Sequence, residues 1–304
     1  MHFMSYSSPL QIIESQLFPG IALWVKRDDL LHPQVSGNKF RKLKYPLSAA
    51  LLQRANLISM GGAWSNHLHA LAHAGHLLGL KTTGLVRGLV PNNQTSLSPT
   101  LQDCQSLGMR LHFLSRLDYR ELRLNPNYWQ RWIETDPAEY FWLPEGGSSA
   151  EAVRGVAELI DELDWIPDTI ILACGTGATL AGIVMGMHNQ GRVIGIAAVQ
   201  NAGYLKSDVQ QLLLAAENTH FDNFEILHQF THGGFAKVSP TLMHFCEQFT
   251  AETDIPLEPV YTGKMFYSLH QLCISKHFKE GEKVIAIHTG GLQGNRGFDL
   301  TSTQ

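Results

Sequence analysis

Five short turns hold most of the residues that could do chemistry. The first, Ser36-Gly37-Asn38-Lys39-Phe40-Arg41-Lys42, sets three cations within four residues behind a Gly-Asn turn. That pattern fits a solvated basic patch. It equally fits a turn that aims one lysine into a cleft, where neighbouring cations and partial burial favour the neutral, nucleophilic amine. Arg41 and Lys42 would then supply that bias or meet an anionic ligand. The second turn, Gly61-Gly62-Ala63-Trp64-Ser65-Asn66-His67, stands between a strand and a helix. Ser65 suits a helix cap, and the backbone N–H groups there suit a carboxylate. Asn66 could donate to a phenolate-like oxygen. His67 alone reads as structural or as part of the site.

The third turn, Ala173-Cys174-Gly175-Thr176-Gly177-Ala178-Thr179, opens a helix and offers N–H groups and two hydroxyls to a phosphate, or is simply a tight turn. It lacks the Gly-Lys-Ser/Thr of a nucleotide-binding loop. A dinucleotide fingerprint would need its third glycine earlier than Gly182. The fourth and fifth, Tyr261-Thr262-Gly263-Lys264 and His288-Thr289-Gly290-Gly291, each set a threonine beside glycine. Either is an ordinary turn, or one whose hydroxyl bonds a neutral ring nitrogen.

The elements that would position these turns alternate between strand and helix. Apolar runs at 21–26, 56–60, 81–86, 109–114, 169–173, 192–199 and 283–287 predict strands. Helices are predicted over 66–80, between the strands at 81–86 and 109–114, and over 148–163, where Val153, Val156, Ala157 and Ile160 share a face. Repeated βα units predict an α/β fold with parallel sheets, in which ligands bind at the carboxyl ends of the strands. The turns singled out above lie there.

The 304 residues are 44% hydrophobic and 16% charged, with a net charge of -4, which predicts a globular chain with a sizeable core. No basic stripe suggests nucleic acid or an anionic membrane, and no apolar run is long enough to span a bilayer. Met1 to Leu10 lacks the pattern of a secretory signal, and Met4 is an alternative start. Cys104, Cys174, Cys246 and Cys273 are too scattered for a disulfide framework or a zinc site, so reduced thiols in the cytoplasm, and no metal, are expected.

In sequence order the turns resemble the fold-type II pyridoxal-phosphate enzymes of the D-cysteine desulfhydrase and aminocyclopropanecarboxylate deaminase group. Val25-Lys26-Arg27-Asp28-Asp29-Leu30 with Gly37-Asn38-Lys39 and Arg41-Lys42-Leu43 looks like that family's cofactor-lysine segment. Gly62 with Ser65-Asn66-His67, Pro144 with Gly146-Gly147-Ser148, Gly175-Thr176-Gly177 with Thr179, Tyr261-Thr262-Gly263-Lys264 and Thr289-Gly290-Gly291 complete the order, from about Ile21 to Gly291. The resemblance implies a tryptophan-synthase-β-like fold with two open α/β lobes, 1–43 with 150–304 and 44–149, and the cofactor between them.

It also implies roles. Lys39 would hold pyridoxal phosphate as a Schiff base and move the α-proton. Asn66 would bond the phenolic oxygen. Gly175, Thr176, Gly177, Ala178 and Thr179 would hold the phosphate with help from Lys42, and Thr262 and Thr289 would also meet the cofactor. Ser65, Asn66 and His67 would receive the substrate carboxylate, with Tyr261 and Phe235 facing the substrate. Ser65 and Tyr261 join Lys39 as catalytic candidates. A homodimer acting on a small amino acid is expected.

Aminocyclopropanecarboxylate deaminases resemble this chain but carry glutamate where Thr262 stands. Without that carboxylate the ring nitrogen stays closer to neutral. This favours β-elimination, D-cysteine giving pyruvate, ammonia and sulfide. The alternatives are ring opening of the cyclopropane, dehydration or racemisation of a serine-like substrate, and a cofactor-binding protein of little activity. Phe235, in Thr231-His232-Gly233-Gly234-Phe235-Ala236, lacks the hydroxyl of the tyrosine usual there, and Trp64 is bulkier than its family counterpart.

Overall fold

The computed structural model describes residues 6–35, 37–88, 96–125 and 127–298. Met4 and Ser36 lie outside them.

The strands are β1 (Leu10–Ile13), β2 (Ile21–Lys26), β3 (Asn56–Gly62), β4 (Thr82–Arg87), β5 (Arg110–Leu114), β6 (Tyr140–Leu143), β7 (Thr169–Cys174), β8 (Arg192–Ala197), β9 (Phe224–Leu227) and β10 (Glu282–Ile287). The helices are α1 (Asn38–Gln53), α2 (Asn66–Leu78), α3 (Pro99–Ser106), α4 (Arg116–Leu124), α5 (Ala150–Ala157), α6 (Ala178–Met187), α7 (Leu205–Glu217), α8 (Pro240–Thr253) and α9 (Thr262–Ile274). They build two sheets, ordered β1-β2-β10-β7-β8-β9 and β5-β4-β3-β6. Only the β1–β2 pairing is antiparallel among the pairs of the described residues.

Period-two alternation explains why these runs are strands buried on both faces. In β7, Ile170, Leu172 and Cys174 enter the core packed with α5, α6 and α7, while Ile171 and Ala173 enter the core packed with α8 and α9. In β10, Ile285 and Ile287 join the first core, Val284 and Ala286 the second. The smaller sheet divides likewise: Leu57 and Val86 pack with α1, α2 and α3, whereas Ile58, Met60 and Leu85 pack with Tyr119, Leu122 and Trp129.

The helix expected over 148–163 is shorter. Ser149 caps α5 by accepting from the Ala152 amide, and beyond Ala157 the chain tightens into a 3-10 turn at Ile160–Glu162. Bonds such as Leu159 N to Val156 O and Leu163 N to Ile160 O replace the α pattern. That turn delivers Glu162 to Lys26 and Arg41, each at 2.6 Å.

Arg41 also forks onto Asp28, 2.7 Å from Nε and 2.8 Å from Nη2, all of it buried. Arg41→Ala would strand the Asp28 carboxylate in the interior. Urea denaturation should show a loss of about 3–5 kcal/mol; a loss within experimental error would mean that water replaces the guanidinium.

Candidate active site

Lys39 is the second residue of α1. The helix is entered through Gly37 at φ 65°, and a side chain there would run into the Thr289 backbone. The turn before α1 therefore lies directly on the turn after β10. Asn38 binds the junction: its amide donates to Thr289 O at 3.2 Å and its Nδ2 to Thr179 Oγ1 at 2.8 Å. Its Oδ1 accepts from Lys39 Nζ at 2.9 Å. Three of the five turns meet at this residue.

Burial lowers the Lys39 amine to about 8, and the nearby Glu258 carboxylate resists the shift. Lys42 donates to Gly146 O at 3.1 Å, and burial followed by the charge of Lys39 pushes its amine well below the ordinary lysine value. Arg41 takes no part in a ligand site, because Asp28 and Glu162 occupy its guanidinium. With half of the Lys39 amines neutral near pH 8, the protein should react at Lys39 with an aldehyde probe faster by about tenfold per pH unit below that point and level off above it. Stopped-flow absorbance checks this; a flat profile between pH 6 and about 9 would refute it.

The turn after β7 runs into α6, whose first turn has Gly177 as its cap and no side chain closing it. The Thr176 hydroxyl lies 2.7 Å from Ser148 Oγ, and a side chain at Gly146 would press on Thr176. Lys42, on Gly146 O, sets an amine donor beside this open helix start. Uncapped amides, two hydroxyls and a lysine fit a phosphate.

Ser65 caps α2 by accepting from Leu68 N at 3.2 Å. Asn66 lies over Gly291, where φ is 92° and a Cβ would come within 2.6 Å of Nδ2. Its Oδ1 accepts from Gln293 Nε2 at 2.9 Å. His67 is buried, with Nε2 2.9 Å from Ser59 Oγ, and Ser59 donates its proton to Leu143 O at 2.8 Å. Nε2 therefore carries the imidazole proton. Nδ1 has no partner among the described residues and lies beside Gly147. Burial, then the charges of Lys39 and Lys42, hold His67 neutral, so it offers the cleft an acceptor rather than a donor.

Tyr261 packs its ring on Gly175 and meets Phe235 edge-on, with centroids 5.9 Å apart. Phe235 and Trp64 are both largely exposed, and Trp64 rests on Gly297. Thr262 is fully buried. Its hydroxyl accepts from Glu258 N at 3.1 Å and lies 3.2 Å from both Glu258 O and Oε1. Thr289, also buried, joins the site through the backbone bond to Asn38.

Sequence reasoning missed Glu258. Its Oε1 accepts the amides of Tyr261 and Thr262 at 2.8 and 2.6 Å, and Oε2 accepts Val260 N at 2.8 Å. A carboxylate ahead of a helix start was the available signal. Asn38 and Gln293 were missed too, and no spacing rule marks them.

Residues 8–290 match the family model described as pyridoxal-phosphate dependent enzyme. The chain is 30% identical, over 90% of its own length and 73% of the relative's, to the mitochondrial bifunctional D-cysteine desulfhydrase/1-aminocyclopropane-1-carboxylate deaminase of Arabidopsis thaliana. It is 24% identical, over 96% of its length and 93% of the relative's, to D-cysteine desulfhydrase of Salmonella typhimurium. The crystal structure of an ACC deaminase homologue superposes with a TM-score of 0.81 at 26% identity, covering 97% of this chain and 92% of that one. A fungal L-serine ammonia-lyase from Rhizomucor miehei, 16% identical with a TM-score of 0.65, shares the fold over 94% of this chain and 93% of its own. With a neutral-biased lysine beside an uncapped helix start, and a family match running through every turn described, the chain belongs to the pyridoxal-phosphate dependent enzymes.

Proposed function

We propose that this enzyme eliminates the β-substituent of a small amino acid, with D-cysteine and water giving pyruvate, ammonia and sulfide. The observation that carries the reading is the Lys39 amine, biased to neutrality and set by Asn38 where three of the turns meet. Bound pyridoxal phosphate supplies the electron sink that makes an α-proton acidic. Lys39 holds the cofactor and carries that proton at Nζ. The amides of Gly175 to Thr179, the Thr176 and Thr179 hydroxyls and Lys42 hold the phosphate. Asn66 donates to the phenolic oxygen, and Thr262 and Thr289 serve the ring. Ser65 and Asn66 receive the substrate carboxylate, with neutral His67 behind them. Burial, then Glu258, keeps the Tyr261 phenol protonated, so it can donate to a departing thiolate. Phe235 borders the same space.

Two lobes divided near residues 43 and 149 would flank the cofactor, with α1 running through the first boundary. Four buried free cysteines are in keeping with a cytoplasmic setting, and a homodimer is part of this reading. No helix among the described residues is long and apolar enough to cross a membrane.

A cyclopropane deaminase is the second reading, favoured by the Glu258 carboxylate 3.2 Å from the Thr262 hydroxyl. The purified holoenzyme should be offered D- and L-cysteine, D- and L-serine and aminocyclopropanecarboxylate. Sulfide with pyruvate from D-cysteine supports elimination; 2-oxobutyrate without sulfide would replace it by the second reading.

A further inference from the structure

The last described segment crosses from the larger sheet to the site. It leaves β10, turns at Gly291 and runs as a 3-10 turn over Leu292–Gly297. Asn295 Nδ2 anchors it by donating to Leu257 O at 3.1 Å, next to Glu258. Arg296, the next residue, anchors it again through Nη2 on Asp103 of α3, 2.5 Å away. Gly297 lies under the Trp64 ring. Ahead of these anchors, between Gly291 and Asn295, Gln293 Nε2 donates to Asn66 Oδ1 at 2.9 Å.

An asparagine amide can turn either its acceptor or its donors to a ligand, and the two faces have nearly the same shape. Here the acceptor is spent on Gln293. Nδ2, on the Gly291 side, has no partner among the described residues. We propose that Gln293 is a positioning residue: it selects the Asn66 conformer that presents donors, and so gives the cofactor's phenolic oxygen a hydrogen bond instead of a repelling lone pair. The inference rests on the reading of Asn66 given above.

A donor at that oxygen stabilises its negative charge. In the holoenzyme stabilising that charge would favour the unprotonated form of the bound cofactor, so a donor from Asn66 would lower the pH at which the visible band titrates. Gln293→Glu keeps the shape of the side chain but offers only acceptors. It would reject Asn66 Oδ1 and draw Nδ2 away from the cofactor.

The test is a pH titration of the visible band in holoenzyme, for the wild type, Gln293→Glu, Gln293→Ala and Asn66→Ala, with urea midpoints as a check on folding. In Gln293→Glu the spectral midpoint should rise by about one pH unit or more. Gln293→Ala should shift it less, Asn66→Ala in the same direction, and the urea midpoints should stay together. If Asn66→Ala moves the midpoint and both Gln293 variants keep the wild-type value, Gln293 has no positioning role. If Asn66→Ala also leaves it in place, the role of Asn66 falls, and the inference with it.

Discussion

Lys39→Ala should lower turnover of every substrate by at least about 10³-fold while leaving the urea midpoint within error of the wild type. The size follows from the roles proposed for Lys39, which put the covalent anchor and the proton carrier in one side chain. Stability is spared because an amine that burial already pushes down to about 8 gives the fold little. Three lysines compete for the role. Lys264 is also lowered to about 8 by burial, and Lys42 falls further. Both are committed to backbone carbonyls: Lys264 Nζ donates to Gly234 O at 2.7 Å in a buried setting and Lys42 Nζ to Gly146 O at 3.1 Å in a part-buried one. Lys39 is part-buried, and among the described residues its amine holds nothing but the side chain of Asn38. Borohydride reduction of the holoenzyme followed by peptide mapping should therefore mark Lys39. A tag on Lys42 or Lys264, or a Lys39→Ala variant within about tenfold of wild-type rate, would reassign the site.

How much of this was legible beforehand depends on whether the cause was local. β7, β8 and β10 announce themselves because strands buried on both faces are unbroken apolar runs. The turn after β7 reads as an anion site because its glycines and hydroxyls sit together in the chain. α1 does not: its first turn is crowded with cations, and Pro46 lies inside it. What sustains that turn is Asp28 and Glu162, 13 and 121 residues away from Arg41. The boundary placed between 43 and 44 falls within this helix, since Phe40, Leu43, Leu47 and Ala50 pack as one stripe against Leu57 and Leu68. The stop of α5 was hidden for the same reason, because Glu162 answers to partners in β2 and α1. Thr262 stood out in the sequence beside Gly263, but its bond to Glu258 did not. The contact spans only four residues, and Pro259 between them masks the helix start.

Glu258→Ala should destabilise the fold as well as the site. The carboxylate satisfies the amides of Val260, Tyr261 and Thr262, and each buried donor left bare costs about 1–3 kcal/mol. Water entering the space of the lost side chain will recover part of this, so a loss of about 3 kcal/mol is expected in urea. Activity should fall too, because Tyr261 and Thr262 are held by these same bonds. The pH dependence tells a packing defect from loss of the carboxyl group. Desolvation raises Glu258 from 4.5 to about 7, although the amides of Thr262, Val260 and Tyr261 pull it down. A carboxyl raised on folding binds its proton more tightly in the native state. Its contribution is complete below pH 4.5 and is lost as pH rises through about 7, a change on the order of 3 kcal/mol. The stability gap between wild type and Glu258→Ala should therefore be wider at pH 5 than at about pH 8. Comparing the two proteins at each pH cancels the other carboxylates, which the variant keeps. A gap independent of pH would mean that Glu258 remains ionised throughout, its amide bonds outweighing its burial, and that Tyr261 and Thr262 are held by a permanent charge.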